Sequence, residues 1–147
     1  MELKSFKEIN EGYYRDGNDG MGAEAIQGII FETMSMVVQS HIFHLVTTSN
    51  ADHEALGEFY TELDKVSDEL AETFIGMDGD LESFGDYDAS FVTSYFKEEY
   101  VELVEGYRAG ISDVITYTNN PEMMSLNDKL IDVQELVDKL LYKLKQN

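Results

Sequence analysis

The stretch SHIFHLVTTSNADHE, residues 40 to 54, holds all three histidines of the chain: His41, His44 and His53. Imidazole nitrogens serve as metal ligands and as proton carriers. Three histidines within thirteen residues, in a chain with 30 acids, raise the question of a metal site. His41 and His53 are twelve residues apart. Asp68 follows His53 by fifteen, and Glu72 follows Asp68 by four. Residues four apart share one face of a helix, so Asp68 and Glu72 can present two carboxylates side by side. Asp64 extends that row one turn earlier. A Glu followed three residues later by His, the pattern of di-iron bundles, is absent: Val38, His41 and Asn50 precede the histidines at that spacing. Each residue also has a plainer reading. His41 could be a packing residue at a helix end and His53 a solvent-facing one. Acid pairs four apart arise by chance among 30 acids. His44 reads as a surface or interface residue.

Those side chains need helices to carry them, and the periodicity supplies four. Ile26, Ile30, Met34, Val37, His41 and Leu45 recur at steps of three and four, which predicts a first helix from about 23 to 48. Ser49, Asn50 and Asp52 in TTSNAD are competent caps for a second helix. Leu56, Phe59, Leu63, Val66, Leu70 and Phe74 mark its face, and Gly76 and Gly79 its end. A third helix is expected after Asp88 or Ser90, with Val92, Phe96, Tyr100, Leu103, Tyr107, Ile111 and Val114 in period. Asn120 followed by Pro121 signals the start of a fourth. Met123, Leu126, Leu130, Val133, Val137, Leu140 and Leu144 line its face. The expectation is an all-α four-helix bundle over residues 23–147, preceded by an arm or loop at residues 1–22. The link between the second and third helices, residues 77 to 89, is the longest and could cross the bundle.

Composition narrows the function classes. A net charge of −20 and one proline in 147 residues fit an acidic helical domain. Phosphate attraction needs clustered Lys and Arg, so direct DNA binding is not expected. An anionic membrane surface would repel this chain, and no run approaches ~18 consecutive apolar residues. With no cysteine there is no thiolate site. MELKSFKEIN lacks the apolar run of a signal peptide, which predicts a cytoplasmic location, in a bacterium or a phage-infected host. DGDLES at 78–83 and DGNDGM at 16–21 alternate acids as calcium loops do, but Ser83 and Met21 stand where such loops need glycine.

The joint spacing of His41, His53, Asp68 and Glu72 resembles the Dps family of mini-ferritins. That family has a His at the end of the first helix and a second His twelve residues on. An acid follows four later, then an Asp and a Glu at the end of the second helix. The stretch HEALGEFYTELDKVSDELAE resembles the family's second helix in its apolar pattern, and a looser likeness runs over residues 23 to 146. The family's acid four after the second His is Gly57 here, its usual aromatic after the first His is Ile42, and its usual Arg after the final Glu is Thr73. The opening LKSFKEINEG also resembles the leaders of small proteins of large tailed phages.

The resemblance implies a metal site shared between subunits, with His41 and His53 from one and Asp68 and Glu72 from its two-fold mate. Two imidazoles and two carboxylates suit Fe(II) first, and Zn(II) or Mn(II) as well. It implies ferroxidase and iron-sequestering activity, weakened by glycine at one ligand position, with Glu54 or Glu58 as neighbouring substitutes. It implies a homo-oligomer, either a dimer or a dodecamer, although self-repulsion at −20 per chain favours the smaller assembly. The alternative is a non-catalytic acidic binding protein with no metal: a DNA mimic, a structural component, or the ligand of a basic host protein.

Overall fold

A computed structural model describes residues 21–146. The proposed arm up to residue 20 and nearly all of DGNDGM lie outside the described residues. Four long helices carry the fold: α1 (Met21–Val46), α2 (Asn50–Gly76), α3 (Lys97–Thr118) and α4 (Met124–Gln146). Among the described residues there is no strand.

Local chemistry explains most of the boundaries. The Ser49 hydroxyl accepts the Asp52 amide at 3.2 Å and so caps α2. The Asn120 side chain accepts the amides of Glu122 and Met123, and Pro121 opens a short 3-10 turn, Pro121–Met123, that leads into α4. Lys143 and Lys145 lie in the last turn of α4, where cations complement the helix dipole.

The third helix starts at Lys97, not after Asp88 or Ser90. Val92 and Phe96 belong to a strap, residues 77 to 96, that is irregular apart from a 3-10 turn at Glu82–Phe84. The cause is tertiary. The Gln39 side-chain amide donates to the Val92 carbonyl at 2.8 Å and accepts the Val92 amide at 2.9 Å. Those backbone groups are thereby satisfied without a helix.

The strap runs the length of α1. Gln27, near the start of α1, hydrogen-bonds Asp80 and Ser83. Phe31 packs on Phe84 and Tyr87, and Phe43 on Tyr95. At the far end Lys97 pairs with Asp52 at 3.2 Å, which places the start of α3 beside the start of α2. Helices α2 and α3 are therefore parallel, while the short links make α1–α2 and α3–α4 antiparallel. The link expected between the second and third helices spans the whole bundle.

The core draws on all four helices. Leu56, Leu63 and Leu70 of α2, Tyr100, Tyr107 and Ile111 of α3, and Leu126, Leu130 and Val133 of α4 are buried. The apolar faces read for α2 and α4 point inward. The face read for α1 does not. Ile26 and Ile30 are buried, but Met34 is 50% exposed and Leu45 66%. The core side of α1 instead carries Ile29, Thr33, Met36, Ser40 and Phe43. Its polar members are paired with α3: Tyr107 meets Thr33 at 2.5 Å and Tyr100 meets Ser40 at 2.7 Å. Helix α1 is apolar nearly all round, so periodicity could not tell its two faces apart. By length and composition it could cross a bilayer, but 44% of that stretch is buried inside the bundle.

Candidate functional site

The α1–α2 corner is a three-residue link, and it brings the histidines together. His44 and His53 stack with ring centroids 3.9 Å apart and planes 17° apart. The His44 Nδ1 meets the His53 carbonyl at 2.7 Å, and the His53 Nδ1 meets the His44 carbonyl at 2.7 Å. A carbonyl only accepts, so both Nδ1 atoms carry a proton and donate. In a neutral imidazole that leaves Nε2 as the lone-pair atom. The His41 ring lies 6.3 Å from that of His44, centroid to centroid, and stacks on Tyr60 at 4.1 Å. Tyr60 also lies 5.3 Å from His44, so the three imidazoles and the Tyr60 ring form one cluster at the corner. His41 and His53 are exposed, while His44 and Tyr60 are half-buried.

Position 57 has a local explanation. A Cβ added to Gly57 would sit 2.8 Å from His44 Cε1 and 3.0 Å from His44 Nδ1, closer than side chains tolerate. Glycine there makes room for the His44 ring.

Asp68 and Glu72 are exposed on α2. Fifteen helical residues separate Asp68 from His53, roughly 22 Å along the axis. Tyr60, Asp64, Asp68 and Glu72 follow one another at steps of four, so the carboxylates continue the row that begins where Tyr60 touches His41. Among the described residues of one chain, no three His, Asp or Glu side chains are placed to hold a metal ion. Glu58 is bound to Lys139 and Lys143 of α4, whose ammonium groups hold its carboxyl down at about 2. It faces away from the histidines.

Two features escaped the sequence. His44 belongs to the histidine cluster. The signal available was its nine-residue distance from His53 across a link of three, with glycine four residues further on. The second is Glu32 of α1, only 2% exposed. Burial pushes its carboxyl up to about 8, against the lowering effect of a hydrogen bond from Tyr87, and its Oε2 has no partner.

No curated protein and no solved structure matches the chain. A family model matches residues 44–144, from His44 through α2, the strap, α3 and nearly all of α4. That is more than half of the chain, which therefore belongs to the family described as a family of unknown function, DUF5856.

Proposed function

We propose that this chain is a homodimer-forming helical bundle that binds a divalent metal ion between subunits, through His41 and His53 of one copy and Asp68 and Glu72 of the other. The observation that carries this is the outer face shared by α1 and α2. Met34, Val38, His41 and Leu45 form an exposed row along α1, and three of the four are apolar. Beyond Glu24, α1 exposes no acid, in a chain of net charge −20. Along α1 a second copy of so acidic a chain meets little like-charge repulsion, and the acids of the face are confined to α2.

The two ends of the face differ. His41 and His53 lie at the α1–α2 corner. The antiparallel course of α2 carries Asp68 and Glu72 toward the opposite end. A two-fold axis through the middle of an isologous interface sets each end against the other end of its mate. That operation brings two imidazoles against two carboxylates, twice per dimer.

The donor types are ones such an ion takes. The His53 Nε2 is left with its lone pair, and the carboxylates are exposed and one turn apart. Mixed imidazole and carboxylate ligands suit Fe(II), Zn(II) or Mn(II). Bound there, the ion would act as a Lewis acid or, as Fe(II), as a substrate for oxidation. A bundle with one long crossover is also an arrangement that ferritin-like folds use.

The test is a titration of the full chain with Zn(II) and with anaerobic Fe(II), read by calorimetry, with mass in solution measured alongside. The expected result is a dimer taking up two ions, with uptake lost in His53→Ala. A monomer that binds nothing would overturn the reading. Oxygen consumption on adding Fe(II) would extend it to oxidation.

A further inference from the structure

We propose that His44 is a positioning residue for His53, and that residue 57 is glycine so that His44 can be one. The inference rests on the metal reading for its purpose and on the corner geometry for its content. A ligating histidine needs its second ring nitrogen held, because that hydrogen bond fixes both the tautomer and the direction of the free lone pair. His53 gets this from the His44 carbonyl, at 2.7 Å from its Nδ1. The bond alone leaves the ring free to swing about it.

The His44 ring removes that freedom. It stacks on His53 at 3.9 Å, and its own Nδ1–H donates back to the His53 carbonyl at 2.7 Å. The two residues thus close a reciprocal clasp across the link between α1 and α2. The clasp works only if the His44 ring can lie flat over the first turns of α2. A side chain at position 57 would occupy that space, its Cβ 2.8 Å from the ring. A side chain at position 57 would push the His44 ring out of the place it holds in the clasp. This chain has the clasp, with glycine at 57 beneath the His44 ring.

Nitrogen-15 spectra of the labelled full-length protein report imidazole tautomers without any metal present. Zinc titration of the same samples reports affinity. In the wild type the His53 proton is expected on Nδ1. Gly57→Ala and His44→Ala are expected to give a mixture of tautomers at His53 and to weaken zinc binding by about tenfold or more. His44→Ala removes a half-buried ring and adds no clash, so the comparison holds even if Gly57→Ala folds poorly. A wild-type His53 proton on Nε2, or variants that keep the wild-type nitrogen pattern, would overturn the assignment. If the tautomers behave as stated but the wild type takes up no zinc, the positioning of His53 stands and the metal reading falls.

Discussion

Glu32 shows how one buried side chain sets the pH response of the fold. Its carboxyl is raised to about 8 in the bundle, chiefly by burial, from an ordinary value of 4.5. The folded chain therefore keeps a proton that the unfolded chain releases between pH 4.5 and 8. Stability from this group is present below 4.5 and is lost as pH rises through that window. Glu32→Gln should flatten this slope and should be more stable than the wild type by about 2–4 kcal/mol at pH 8.5, with little difference at pH 4. Urea unfolding at the two pH values checks this; equal gains at both would contradict it. Glu58 has the opposite sign. Lys139 and Lys143 lower its carboxyl to about 2, so its contribution is present above pH 4.5 and fades as pH falls toward 2. At the corner, the sequence placed His44 at a surface or interface and gave no sign of its stack on His53, because a stacking partner leaves no spacing rule. The sequence could not show that the His44 ring occupies the space beside Gly57.

The strap is the element where sequence and structure part. Its residues 92 and 96 keep the period of the third helix, yet Gln39 from α1 holds the Val92 backbone in place. A single long-range side chain outweighs a weak local preference, and no pattern within residues 85 to 100 could reveal it. Gln39→Ala should cost about 1–3 kcal/mol, because it strands the partly buried Val92 N–H and C=O. Amide exchange at Val92 should rise more than at Tyr107; unchanged exchange at Val92 would count against the anchoring role. Helices α2 and α4 were legible because each is amphipathic, so their apolar residues have one direction to face. In α1 the outward row of Met34, Val38 and Leu45 was taken for the core. Its inward row of Thr33 and Ser40 was missed, because hydroxyls that meet buried tyrosines look polar in the sequence.

At the scale of the whole molecule, the proposed dimer rests on the exposed apolar row of α1 in a chain of charge −20. Replacing Val38 with Glu should make the protein monomeric and abolish metal uptake while leaving its helix content unchanged, because Val38 is 44% exposed and contributes little to the core. Mass in solution and circular dichroism check this. A Val38→Glu protein that stays dimeric would place the interface elsewhere. The central claim, a site completed by two chains, is tested most directly by mixing two inactive variants. His53→Ala lacks a ligand from one half of the site, and Asp68→Asn lacks a ligand from the other. Each alone should bind zinc poorly. In a mixed dimer the intact histidines of one chain meet the intact carboxylates of its mate, so unfolding and refolding the two together should restore one tight site per mixed dimer. Mixed dimers that form but recover no binding would contradict the account.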